Sequence, residues 1–202
     1  MAPGHRQVLP LPPEFITPQD GAEKQDCERN AAKRWLARHG PGLKPLRPVF
    51  LGDDLFACQP IAAAIQQAGG VFILTCKPSS HQTIAGYLYG AKPEEHQTTT
   101  VILGKGRVTT LYRWLSGVPV RATDDAVEVT WLSIEIRNAK GKKTYSNSFI
   151  TDLAVTAATI AEIAACGRSR WKIENETFNV LKTNGYNLEH NFGHGRETLV
   201  FS

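Results

Sequence analysis

The chain has 202 residues, of which 42% are apolar and 8% aromatic, and a formal charge of +4. That length and composition suit one domain with a proper core, and they exclude a disordered, collagen-like or disulfide-framed chain. The apolar runs, such as Val71-Phe72-Ile73-Leu74, are far shorter than a membrane span, and no export signal is evident, so a cytoplasmic protein with no membrane partner is expected. The slight basic excess permits a polyanionic partner without demanding one. Cys27, Cys58, Cys76 and Cys166 are scattered and form no C-x-x-C pair, which argues against a zinc ribbon and leaves reduced, mostly buried thiols.

Residues 1–19 hold Pro10, Pro12, Pro13 and Pro18, which fix φ and remove donors, so an extended arm is predicted. Asp20 and Glu23 have capping-box spacing, and Ala31, Ala32, Trp35 and Leu36 recur at helical spacing. These predict an amphipathic helix over 21–39, stopped by Gly40-Pro41. Pro48 opens a short apolar strand that ends in Gly52-Asp53-Asp54. A proline-started helix over 60–67 follows, closed by Gly69-Gly70, and then a buried strand over 71–76. Strand, helix and strand within so few residues form a βαβ unit with a parallel pair. Residues 81–89 read as a further short helix.

The period then changes to two. Segments 98–101, 107–114, 126–137 and 143–149 alternate or are β-branched, with turns at Gly104-Lys105-Gly106 and Asn138-Ala139-Lys140-Gly141 predicting two hairpins. Helices return over about 155–166 and 169–183, with a break at Gly167 and a C-terminal cap at Asn184-Gly185.

Asp53 and Asp54 sit at the C-terminal end of a predicted buried strand, where α/β sheets collect ligands. Adjacent strand positions face opposite ways, so one aspartate alone should face a given site. The competing role is a helix cap, with Asp54 starting the helix that includes Pro60. On the last helix Arg170 and Glu174 are four apart and share a face. Glu174 lies beside Ile173 and Phe178, an apolar setting unusual for a carboxylate, whereas Lys172 and Glu176 suit an ordinary surface pair. An aspartate at a strand end and a glutamate on a late helix could hold Mg²⁺, whose hard-oxygen preference explains carboxylates in place of thiols or imidazoles. His190 and His194 have ligand-like spacing, but Gly193 and Gly195 oppose a helix, which favours a structural or DNA-facing turn. Gly104-Lys105-Gly106 lacks phosphate-loop spacing, and Ser146 and Ser148 have no hydrolase elbow around them.

Three blocks together resemble bacterial DDE-type insertion-sequence transposases of the insertion-sequence 4-like group. They are Pro13-Glu14-Phe15-Ile16 with Asp20 to Glu28 and Arg34-Trp35-Leu36; Gly52-Asp53-Asp54-Leu55-Phe56; and Arg170-Trp171-Lys172-Ile173-Glu174-Asn175 with Lys182 and Gly185 to His190. The resemblance runs over about residues 7–197. It implies an α/β, ribonuclease H-like fold with a β-rich insertion at about 97–150, between the second catalytic aspartate and the catalytic glutamate. It also implies an arm and helix over 1–47 and a catalytic domain over 48–202. By position Asp53 would be the second metal-binding catalytic carboxylate, with Asp54 as the alternative ligand, and Glu174 the third. Arg170 and Lys182 would contact DNA. The family's tyrosine position is Gly167 here, and its lysine position is Leu181 with Lys182 beside it. The implied cofactor is Mg²⁺ or Mn²⁺; the implied partners are DNA at transposon ends and a homodimer or intact transposase. The family's first catalytic aspartate lies upstream of the arm, and the sequence stops at Ser202 straight after the apolar Leu199-Val200-Phe201. The expectation is therefore an incomplete ribonuclease H-like fold, a fragment inactive on its own.

Overall fold

The computed structural model describes residues 11–16, 26–102, 104, 106–172 and 182. The fold is mixed α/β: a six-stranded, mostly antiparallel sheet and four α-helices among the described residues. None of these helices is long and apolar enough to cross a membrane.

Leu11–Ile16 have no regular structure, as the prolines require, and lie against the first helix. Trp35 Nε1 donates to the Pro12 carbonyl at 2.8 Å, and Glu14 accepts from Arg34 at 3.0 Å and Arg38 at 2.8 Å. The helix α1 spans Glu28–Leu43, not 21–39. Asp26 and Cys27 are not helical: the Asp26 carboxylate turns back to accept from Cys27 N at 2.9 Å and holds Arg34 at 3.0 and 2.7 Å. The predicted capping pair, Asp20 and Glu23, lies outside the described residues. Nor does Gly40-Pro41 stop the helix, because the Gly40 carbonyl still accepts from Lys44 N. Gly40 instead permits close helix packing, since a Cβ there would lie 2.6 Å from Ala68 Cβ.

The βαβ unit forms as predicted. Strand β1 (Val49–Gly52) pairs in parallel with β2 (Val71–Thr75) through α2 (Gln59–Gln67). Gly69 closes α2 at φ +75°, a conformation that favours glycine. Helix α3 spans Gln82–Gly90. Strands β3 (Glu94–Ile102), β4 (Gly106–Pro119), β5 (Glu128–Arg137) and β6 (Lys143–Thr151) form an antiparallel meander with hairpins at both predicted turns. In the second hairpin Asn138 Oδ1 accepts from Lys140 N and Lys142 N, each at 3.0 Å, and Gly141 takes φ +74°.

The meander continues the βαβ sheet. Strand β6 pairs antiparallel with β2, Thr75 opposite Phe149, giving the order β1-β2-β6-β5-β4-β3. Half-buried Asp152 fixes that junction by accepting from Phe72 N at 2.9 Å and Gln66 Nε2 at 3.2 Å. Buried Thr151 adds a donor to the Phe72 carbonyl at 2.6 Å and accepts from Leu153 N at 3.1 Å.

Helices cover both faces of the central part of the sheet. Phe72, Leu74, Val129, Trp131 and Ile150 pack with Leu36, Ile61, Ile65 and Ile84 of α1, α2 and α3. Ile73, Leu132, Ile134 and Phe149 pack on the other face with Ile160, Ile163 and Ala164 of helix α4 (Ile160–Arg168). A bulge between Leu115 and Val118 of β4, with Gly117 at φ +71°, restores the parity that puts both apolar residues on the α1–α3 face. The predicted break at Gly167 is absent: α4 runs through it. Buried Gly167 is there for clearance, as a Cβ would meet Phe149 Cε1 at 2.9 Å and Ile73 Cγ2 at 3.0 Å. Trp171, Lys172 and Lys182 are helical, and the rest of the helix predicted over 169–183 lies outside the described residues.

Candidate functional site

Parallel β1 and β2 direct their C-terminal ends to one edge of the sheet. Asp53 and Asp54 follow β1, and Lys77 follows β2. Strand β6 runs the opposite way, so its early residues Tyr145 and Asn147 come to the same edge. The end of α4 adds Gly167 and Arg168. Asp53, Asp54, Lys77, Tyr145, Asn147, Arg168, Arg170 and Trp171 line one cavity of about 640 Å³ there.

Asp53 is the N-cap of a 3-10 turn, Asp54–Phe56, with Oδ1 accepting from Leu55 N at 3.0 Å. Oδ2 has no partner among the described residues. Arg29 of α1 braces the turn by donating Nε to the Leu55 carbonyl at 3.0 Å. Asp54 is held differently. Oδ1 accepts from Lys77 N at 2.7 Å and lies 3.1 Å from His81 Nε2. Burial raises the Asp54 pKa, but the Lys77 N–H, the Ser80 hydroxyl and His81 together outweigh it and hold the carboxyl below its ordinary 3.8. Asp54 therefore ties the end of β1 to the loop after β2.

Two expectations are corrected here. Both aspartates line the cavity, because the chain leaves the strand at Gly52 and the alternation of a strand no longer separates them. And the cap is Asp53, on the 3-10 turn; α2, which contains Pro60, starts at Gln59 with Cys58 at its N-cap position and no side-chain cap.

Arg168 lies over the Tyr145 ring, 4.5 Å from its centroid, which spreads its planar cation along the cavity wall. Trp171 is half exposed beside it. The lining thus carries Lys77, Arg168 and Arg170 against Asp53 and Asp54. Of the sequence-predicted residues, Asp53 and Arg170 come together in this cavity. Lys182 is an exposed helical residue, and Glu174, His190 and His194 lie outside the described residues.

Mg²⁺ or Mn²⁺ prefers carboxylate oxygens, and the second oxygen of Asp53 is of that type. Among the described residues no group of three metal-binding side chains occurs, so the donor chemistry fits while the ligand set is incomplete.

Lys77, Tyr145 and Asn147 escaped the sequence reading as site residues. Lys77 alone left a signal, since it follows the second parallel strand as Asp53 follows the first. Tyr145 and Asn147 required the β2–β6 pairing, which no local pattern announces. Neither a protein-family model nor a curated protein matches the chain.

Proposed function

We propose that the chain is part of the catalytic domain of a DDE-type transposase, on an incomplete ribonuclease H-like fold, that binds DNA phosphodiesters for metal-dependent cleavage and strand transfer. The observation that carries this reading is the cavity at the C-terminal ends of the parallel strands, where Asp53 stands among Lys77, Arg168 and Arg170. Carboxylate and guanidinium groups in one open cleft suit a phosphodiester: cations take its non-bridging oxygens, and a carboxylate takes a metal or a proton. The open edge of β1, which pairs with β2 alone among the described residues, leaves room for further strands.

In this reading Asp53 and Glu174 hold the metal. Bound Mg²⁺ would lower the pKa of an attacking water or 3′-hydroxyl and offset charge on the leaving oxygen. Arg168, stacked on Tyr145, and Arg170 clamp the phosphate, with Lys182 as a further DNA contact. Lys77 adds charge from the floor. Asp54 positions the floor by holding Lys77 N.

Nicking of supercoiled DNA with Mg²⁺ or Mn²⁺ tests the reading, on this chain and on one extended upstream to include a further aspartate. Cleavage by the extended protein that Asp53→Ala and Glu174→Ala each abolish is the expected result. Cleavage that survives both substitutions would sink the assignment.

A second reading, a DNA-binding or dimerising transposase remnant without catalysis, is favoured by the absence of a group of three metal-binding side chains among the described residues. It predicts DNA binding by both proteins and cleavage by neither.

A further inference from the structure

The charge of the β-rich segment is unevenly placed. Between Glu95 and Asp124, and again between Glu135 and Asp152, the sequence has no Asp or Glu. The described cations of these two stretches divide by position. Arg113, Arg121 and Arg137 are in ion pairs with Glu95, Asp125 and Glu135. Arg107, Lys140, Lys142 and Lys143 are exposed and have no ion-pair partner among the described residues.

The fold gathers these four. Arg107 stands at the start of β4 opposite Val101, and Lys143 at the start of β6 opposite Arg137, which also pairs with Thr109 of β4. The ends of the two hairpins therefore lie side by side: a Cβ on Gly106 of the first would lie 3.5 Å from Ala139 Cβ of the second. From β4 to β6 is two strand spacings, about 10 Å. Lys140 and Lys142 sit on a turn whose backbone is already fixed by Asn138 Oδ1 and by Gly141 at φ +74°. Four like charges held this close repel one another, and an external polyanion relieves that repulsion.

The chemistry of the two ends favours a phosphate backbone over bases. Neither carries an aromatic residue: 101–107 reads Val-Ile-Leu-Gly-Lys-Gly-Arg and 137–143 reads Arg-Asn-Ala-Lys-Gly-Lys-Lys. Unpaired bases would find nothing to stack on. A duplex presents about six charges over about 10 Å, enough to meet all four cations. Lys143 is two residues from Tyr145, which lines the Asp53 cavity, so the hairpin ends flank that cavity along β6.

We infer that the two hairpin ends together grip the backbone of duplex DNA beside the Asp53 cavity. This inference rests on the proposed phosphodiester-binding role of that cavity. It adds a contact surface made of residues outside the three blocks that resemble transposases.

Fluorescence anisotropy across a series of salt concentrations tests it, with a labelled duplex of about 30 base pairs, roughly three helical turns. Lys140→Ala combined with Lys142→Ala keeps the backbone hydrogen bonds of the turn. This variant should weaken binding about tenfold at low salt and reduce the slope of log affinity against log salt by about 1.8. Arg107→Ala, on the other hairpin, should reduce the slope by about 0.9. Lys33→Ala, at an exposed position of α1, should leave the slope unchanged. Wild-type slopes in both hairpin variants, or an equal loss in Lys33→Ala, would overturn the hairpin surface and leave the Asp53 reading intact. Exposed Val101 and Ile102 at the first hairpin end would also suit a lipid surface. Co-sedimentation with phosphatidylserine vesicles in place of duplex binding would therefore overturn the inference too. Failure of the wild type to bind either duplex or vesicles would remove the hairpin surface, and nicking would then decide the Asp53 reading separately.

Discussion

Asp54 carries more of the local architecture than its neighbour, and its ionisation has a measurable consequence. Its folded-state pKa lies below the ordinary 3.8, so the stability it contributes is full above that value. That stability is lost as pH falls through the lower folded value. The gap in denaturation midpoint between wild type and Asp54→Asn should therefore be constant at neutral pH and close as pH falls below 3.8. A gap that widens on acidification would contradict the hydrogen-bonded carboxylate. Cysteine reactivity separates by the same logic. Burial, with Asp54 nearby, pushes the Cys76 thiol up to about 12, whereas Cys27 is exposed. Iodoacetamide at pH about 8 should label Cys27 in the native protein and Cys76 only after unfolding. At this scale the sequence was half informative: the strand-end position of Asp53 was readable, but not which aspartate would cap and which would tie two loops.

Among the elements, α4 depends on Gly167. Alanine there would gain about 1 kcal/mol of helix propensity, but its Cβ would press on Phe149 and Ile73, both fully buried. Overpacking costs about 1–3 kcal/mol, so Gly167→Ala should lower stability by up to about 2 kcal/mol in urea denaturation. A stabilised variant would mean that the helix shifts outward at no cost. Glycine at positions 40 and 167 looked like punctuation in the sequence because a helix-breaking glycine and a close-packing glycine are the same letter. The strands were legible because their period of two and turn chemistry are local. The bulge near Gly117 was not, since it serves a face that only the folded sheet defines.

For the whole molecule, the mixed α/β class and the parallel pair followed from the order of elements, while the course of the sheet did not. The β-rich segment runs on from β2 through β6, a junction set by hydrogen bonds such as Phe72 N to Asp152, 80 positions apart. Long-range pairing of this kind leaves no trace in a short window. The proposed interaction with nucleic acid belongs to the same scale. Deleting one cation that neutralises a phosphate should reduce the slope of log affinity against log salt by about 0.9. Arg168→Ala should therefore flatten the salt dependence measured by filter binding as well as weaken binding. An unchanged slope would place Arg168 away from the DNA.

The β2–β6 junction also sets an order in time. One wall of the Asp53 cavity is Tyr145 and Asn147, so the cavity cannot exist until β6 has docked on β2. Closing so long a loop is slow compared with forming the local hairpins. During synthesis, the aspartates and Lys77 leave the ribosome well before their β6 neighbours. The nascent chain therefore gains its hairpins early and the Asp53 cavity last.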